Sequence, residues 1–181
     1  YGFNTWYYTY GNISRASVMK DAELCGILGS GVVKGAPKPY MVIDDGWQKA
    51  VPGRIYEFVG DWVPEKRRFG DLEALVPKLH AMGLNVMLWF SIAFIGHKAK
   101  NYKRFEGKYL REHPEGHYAV LDPRYKEVRD YLIEIYANAV KDWGLDGLKL
   151  DFIDAFALKG KSLEYDEKRD YQALEDALDV L

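Results

Sequence analysis

The segment Gly147-Leu148-Lys149-Leu150-Asp151-Phe152 places a cation and a carboxylate two residues apart. In an extended strand that spacing turns both side chains to one face. An ammonium beside a carboxylate favours its ionised form, which is the state a carboxylate nucleophile needs at neutral pH. The same pair could equally be a structural ion pair at a strand end, and on these residues alone the two readings stand level. Asp154, just beyond, reads as a helix cap or a supporting partner. A second group, Asp44-Asp45-Gly46-Trp47-Gln48, offers two carboxylates, a flexible glycine and an indole. Carboxylates accept hydrogen bonds from neighbouring hydroxyls while an aromatic face covers the C–H surface of a ring, so this group suits a neutral polyol. A Mg²⁺ or Ca²⁺ site and a capping turn are the alternatives. The metal is disfavoured because no further acidic cluster accompanies the pair. His113 and His117 have a spacing that would suit a metal on a helix, but Pro114 and Gly116 make the segment a loop. Two ligands also fall short of the four that a structural zinc takes. No metal and no cofactor are expected. His80 and His97 read as ordinary surface or interface residues.

Something must carry residues 44 and 151 to one place. Short apolar runs alternate with longer amphipathic ones four times, the pattern of βα units around a parallel sheet. Strands are predicted at Phe3 to Tyr7, Tyr40 to Ile43, Val86 to Phe90 and Leu148 to Phe152. The first helix is capped at Ser14 or Ser17 and carries Val18, Leu24 and Leu28 before glycines end it. The second lies between Asp71 and Met82, with Pro77 delaying its regular part to about Ala74 and Gly83 as its stop. The third runs from Tyr125 to Trp143 with Val128, Leu132, Ile135 and Ala139 on one stripe. A last one carries Tyr171, Leu174, Leu178 and Leu181, after a charge-rich stretch from Glu164 to Asp170 that reads as a solvated helix start. Two connections, Gly46 to Gly70 and Ser91 to Arg124, are far longer than the usual two to six residues, and both follow strands. Long loops there put the variable material at the carboxyl ends of the strands, where barrel enzymes build their sites.

The totals exclude several classes of function. Hydrophobic residues make up 48% of the chain and charged ones 29%, an ordinary globular balance for one compact domain spanning 1–181. A net charge of −2 supplies no basic field, which argues against nucleic acid and anionic membrane surfaces as partners. No apolar run approaches the roughly 20 residues of a spanning helix. The one cysteine, Cys25, excludes an internal disulfide and a cysteine-cluster zinc site. Tyr1 stands without an initiator Met or a signal-peptide pattern, so the natural start is expected upstream. The cellular address is left open. Aromatic residues reach 15%, with 14 Tyr and 5 Trp, and such rings stack on sugar faces as readily as they fill cores.

Taken together, the blocks resemble the barrel core of glycoside hydrolase family 36, the α-galactosidases and raffinose synthases, with family 27 as a relative. Gly2-Phe3-Asn4-Thr5-Trp6 is similar to the family's first strand, and Val42-Ile43-Asp44-Asp45-Gly46-Trp47 to its second-strand signature. Gly60-Asp61-Trp62, His80-Ala81-Met82-Gly83-Leu84, Leu88-Trp89-Phe90, Arg111-Glu112-His113-Pro114 and Leu121-Asp122-Pro123 follow in the family's order. Lys149-Leu150-Asp151 takes the place of its Lys-Trp-Asp or Lys-Tyr-Asp. The resemblance implies a (β/α)8 TIM-type barrel, of which this chain holds about the first four βα units. It implies Asp151 as nucleophile of a retaining α-galactosidase, and Trp6, Asp44, Asp45, Trp47, Trp89 and Lys149 as residues that bind a carbohydrate substrate.

Two departures stand out. Ser91-Ile92-Ala93-Phe94 replaces the family's Glu-Pro-Glu-Met, and Phe152-Ile153-Asp154 replaces its Met-Asn-Arg. The family's acid/base carboxylate lies on a later strand, so the resemblance implies that this partner belongs to a further half with four more βα units. A raffinose-synthase-like transglycosylase or an α-N-acetylgalactosaminidase is the rival reading among enzymes, because the same carboxylates could serve each. From another class, the chain could be a noncatalytic half-barrel that binds sugar or self-associates through open edges at its first and fourth strands.

Overall fold

A computed structural model describes residues 1–30, 35–49, 55–92 and 94–156, with residues 172, 175, 176 and 179 beyond them. In chain order its elements are β1 (Gly2–Asn4), the single turn α1 (Trp6–Thr9), α2 (Arg15–Ser30), β2 (Tyr40–Ile43), α3 (Leu72–Ala81) and β3 (Asn85–Ser91). They continue with β4 (Phe94–Gly96), β5 (Tyr109–Glu112), β6 (Tyr118–Leu121), α4 (Lys126–Trp143) and β7 (Gly147–Asp151). The predicted last helix and the charge-rich stretch before it lie outside the described residues.

The chain forms two compact units: Tyr1–Lys49, Val63–Phe90 and Ala137–Asp151 in the first, and Ala50–Trp62, Ser91–Tyr136 and Phe152–Leu181 in the second. The first holds a four-stranded sheet in the order β1-β2-β3-β7. β1 pairs with β2 and β2 with β3 in parallel, with Gly2 opposite Tyr40 and Tyr40 opposite Asn85. Each step to the next strand passes through a helix, as the alternating pattern predicts. β1 and β7 are the outer strands of this sheet.

Local chemistry sets the element ends. Ser14 and Ser17 cap α2 reciprocally, each side-chain oxygen accepting the other's backbone N–H at 3.2 and 2.9 Å. The buried face of α2 is Val18, Ala22 and Cys25, while Leu24 points to solvent. The 3.6-residue period puts 18, 22 and 25 together, and Leu24 lies a third of a turn away from Cys25. Asp71 starts α3 by accepting the Glu73 N–H at 2.9 Å, so the helix begins at Leu72 rather than Ala74 and takes Pro77 in its interior. Leu72, Leu75, Val76 and Leu79 form its buried stripe. β1 is shorter than predicted because the Asn4 side chain accepts the Trp6 N–H at 2.8 Å and turns the chain out of the strand. β7 stops at Asp151, since Phe152 has φ of 60° and leaves the extended region.

The second unit contains the other departure from expectation. The connection from Ser91 to Arg124 folds into an antiparallel sheet of order β4-β6-β5. His113 and His117 stand at the turn between β5 and β6 with their rings 5.8 Å apart. Among the described residues no group of three or more His, Cys, Asp or Glu side chains is gathered as a metal site would need. Among them, too, no helix is long and apolar enough to cross a membrane.

Asp146 fastens the turn before β7. Its Oδ2 accepts the Val86 N–H at 2.8 Å and the His80 ring N–H at 2.7 Å. Burial alone would raise the pKa of this carboxyl, but the Val86 N–H and the His80 ring outweigh that and hold it below the usual carboxylate range. A lowered folded-state pKa contributes stability above the unfolded value of about 3.9 and loses it as pH falls through the folded value. Denaturant unfolding from pH 7 to pH 2 is therefore expected to show wild type more stable than Asp146→Asn at pH 7, with the gap closing in the acid range. A gap that stayed constant with pH would show that the carboxylate charge carries none of it.

Candidate active site

The carboxyl ends of the parallel strands gather the polar side chains that the sequence pattern singles out. β1 ends at Asn4, β2 runs into Asp44, β3 carries Trp89, and β7 ends at Asp151. Asp44 is only 2% exposed, so its charge needs partners. Its Oδ2 accepts the Asn4 amide at 2.9 Å and the Lys149 ammonium at 2.6 Å. Its Oδ1 accepts the Asp45 N–H at 2.9 Å, and its own N–H donates to Thr5 Oγ1 at 3.0 Å. Three contacts to the carboxylate and one to the backbone thus fix Asp44 at the strand end.

Lys149 links this buried anion to a more open one. Its Nζ lies 3.4 Å from Asp151 Oδ2, and the two side chains are 33% and 38% exposed. The Trp89 indole N–H donates to the same Asp151 oxygen at 2.9 Å. One charged and one neutral donor therefore address a single carboxylate oxygen, which favours its ionised form. Burial works against the Lys149 charge, but the hydrogen bond and charge of Asp44, followed by those of Asp151, prevail and hold the ammonium above the usual lysine range. Lys149 therefore stays a cation across the neutral range, beside the Asp151 carboxylate.

The predicted residues take several distinct places. Asp44, Lys149, Trp89 and Asp151 converge through direct contacts. Asp45 is buried, with Oδ1 accepting the Gln48 amide at 2.6 Å, while Gln48 Oε1 accepts the Gly46 N–H at 3.1 Å. Trp47 is fully buried. Its indole N–H donates to the Trp89 carbonyl at 2.8 Å, and its ring meets Phe90 and Trp143 edge-on at 5.5 and 5.6 Å. Trp89 is also buried and reaches the site through its N–H. Trp6 is half-buried on α1, edge-on to Tyr10 at 5.7 Å. Asn4, Thr5 and Gln48 are absent from the predicted set. Asn4 and Thr5 lie inside the predicted strand Phe3 to Tyr7, and the earlier end of β1 at Asn4 is what leaves this polar pair at a strand end. Gln48, three residues beyond Asp45, had no signal stronger than proximity.

Gly46 sets the path of the chain beside this cluster. Its φ is 109°, and a Cβ there would lie 2.2 Å from the Gly11 carbonyl oxygen. Only glycine fits the turn that leaves Asp44 and Asp45 at the strand end.

No family model and no curated protein sequence matches the chain. Among solved structures, its fold matches the family GH36 α-galactosidase of Geobacillus stearothermophilus with a TM-score of 0.73 at 21% identity, over 98% of this chain and 25% of that one. It matches an α-galactosidase of Lactobacillus brevis with a TM-score of 0.72 at 22% identity, over 97% and 23%. A third match is the Thermus thermophilus α-galactosidase in complex with p-nitrophenyl α-D-galactopyranoside, with a TM-score of 0.66 at 24% identity, over 97% and 35%. The likeness is one of fold, and the chain spans about a quarter to a third of the length of these structures.

Removing the Asp44 charge should be felt first at Lys149. In Asp44→Asn, a nuclear magnetic resonance titration of the Lys149 ammonium is expected to give a lower pKa than in wild type. A raised folded-state pKa contributes stability below the unfolded value of about 10.4, and that stability is lost as pH rises through the folded value. The variant's stability should accordingly fall less steeply above about pH 10. An unchanged Lys149 titration would contradict the ion pair.

Proposed function

We propose that this chain is the first part of the catalytic (β/α)8 barrel of a retaining α-galactosidase of glycoside hydrolase family 36, with Asp151 as nucleophile. The observation that carries the reading is the chain of contacts from Asp44 through Lys149 to Asp151, closed by the Trp89 indole. A half-exposed carboxylate held ionised at the carboxyl end of a parallel strand is what a glycosyl-transfer nucleophile needs. The likeness in fold to α-galactosidases, and the order of the sequence blocks, support the same reading.

In this mechanism an Asp151 oxygen attacks the anomeric carbon of a terminal α-galactosyl unit. The bond from that carbon to the leaving oxygen breaks as the bond to the carboxylate forms. A carboxylic acid from a later strand, outside these residues, protonates the leaving oxygen. Water, deprotonated by the same group, then releases the sugar with retention. Retaining enzymes hold the two carboxyls about 5 Å apart. Lys149, Asp44 and Asp45 orient the sugar hydroxyls, and Trp6 lies against the ring. Trp89 orients the nucleophile, and Trp47 packs beneath it.

The test uses the natural polypeptide that carries these residues. Asp151→Ala is expected to lower kcat/KM on p-nitrophenyl α-galactoside by on the order of 10⁴-fold or more, as loss of a covalent nucleophile does. Added azide should restore turnover and yield β-galactosyl azide, because the small anion attacks from the face the carboxylate has vacated. Activity near wild type, or rescue that yields only the α-azide, would contradict the assignment.

A further inference from the structure

Asn4, the last residue of β1, is half-buried and makes two side-chain contacts of opposite polarity. Its Oδ1 accepts the Trp6 N–H at 2.8 Å, and its Nδ2 donates to Asp44 Oδ2 at 2.9 Å. A backbone N–H calls for an acceptor and an ionised carboxylate for a donor, so the amide stands in one orientation only. An aliphatic side chain of this shape would make neither contact, and an ionised carboxyl would make only the first. These residues, with Lys149 and Asp151, all lie in the first unit.

The contact matters because of what else reaches the same oxygen. Asp44 Oδ2 also accepts the Lys149 ammonium at 2.6 Å, so one amide and one ammonium take both of its lone pairs. Oδ1 is tied to the Asp45 N–H at 2.9 Å. Two neutral donors therefore fix the plane of the carboxylate, and the ammonium binds where the remaining lone pair of Oδ2 points. From there it stands 3.4 Å from Asp151 Oδ2, beyond the roughly 2.7–3.2 Å of a well-formed hydrogen bond. The cation is already weighted toward Asp44. Without the amide, a carboxylate on a residue only 2% exposed would hold a vacant lone pair, a costly state that the same ammonium relieves by centring on Asp44. It would then withdraw from Asp151. We propose that Asn4 is a positioning residue for the Lys149 ammonium: its amide occupies one lone pair of Asp44 and so leaves the cation within reach of the Asp151 carboxylate. The effect of this placement on rate rests on the reading of Asp151 as nucleophile, whereas the placement itself does not.

Asn4→Asp probes the role while keeping the shape of the side chain. Two carboxyls about 3 Å apart do not readily ionise together, so in acid the pair holds one proton between them. The charged groups facing that position are Asp44 and Lys149, with Asp151 across the ammonium, while Asp45 Oδ1 engages the Gln48 amide. Protonated, the introduced carboxyl accepts the Trp6 N–H and donates to Asp44, as the amide does. Ionised, it loses the donor and adds a second anion that draws the ammonium away from Asp151.

The experiment uses the natural polypeptide that carries these residues, with p-nitrophenyl α-galactoside as substrate and crystal structures of the same variants. In Asn4→Ala the Lys149 Nζ is expected to stay on Asp44 and to lie farther from Asp151 than in wild type. Its kcat/KM should fall on the order of tenfold at every pH, as a small misplacement of reacting groups produces. In Asn4→Asp the ratio of kcat/KM to that of wild type should be highest in acid and fall about tenfold as pH rises from about 5 to about 9, with the ammonium shifting between the two pH extremes. A role in shape alone gives a ratio that does not depend on pH. An ammonium that stays in place in both variants would overturn the proposal. So would a pH-independent ratio in Asn4→Asp where Asp151→Ala is inactive. Where Asp151→Ala keeps its activity, the nucleophile reading falls and the crystal structures alone decide the placement. If alanine unfolds the chain, Asn4→Asp supplies both readouts.

Discussion

One cation shared between two carboxylates organises the first unit. The Lys149 ammonium sits 2.6 Å from Asp44 and 3.4 Å from Asp151. Asp44 is buried, and a buried carboxylate without a partner is strongly destabilising, so this pairing cannot be given up cheaply. It also imposes topology. Asp44 follows β2 and Lys149 lies on β7, with β3 between them in the sheet. The contact forms only if those strands present their carboxyl ends on one side, and Trp89 on the intervening β3 adds its own donor to Asp151. The strand order and the site are thus one requirement seen twice.

Much of this was legible in the amino-acid sequence, and the reasons for success and failure are physical. The i, i+2 spacing of Lys149 and Asp151 is enough to place them on one face, because the side-chain period of a strand is two whatever surrounds it. Their joining to Asp44, 105 residues from Lys149, follows from no spacing rule and needs the parallel order of the strands. The helix ends were readable from Ser14 and Asp71, whose oxygens cap backbone N–H groups locally. Trp47 was open to two readings because an indole is equally suited to a sugar face and to a core. What decides is the acceptor its N–H finds, here the Trp89 carbonyl. Leu24 shows the same limit, since a hydrophobic residue on a helix need not lie on its buried stripe. The β4-β6-β5 sheet went unseen because its strands are three or four residues long, too short for a periodic signal.

Backbone constraints support the polar ones. At Gly46 the chain passes against the Gly11 carbonyl so closely that no side chain fits. The carboxylate of Asp146 stitches the approach to β7 onto the start of β3. Neither residue takes part in the proposed chemistry, yet each fixes where a strand end lies, and a displacement of about 1 Å is enough to spoil a near-attack geometry. Phe94 and Phe152 stack on one another in the second unit.

The central claim is that Asp151 becomes covalently bound to sugar during turnover. Its most direct test is to trap that intermediate with an activated fluorinated α-galactoside, whose second step is slowed, and to map the labelled peptide by mass spectrometry in the natural polypeptide. The account predicts one galactosyl-derived adduct per active site, carried by the Gly147–Asp151 strand on the Asp151 carboxylate. A label on any other residue, or complete turnover with inversion and no adduct, would contradict it.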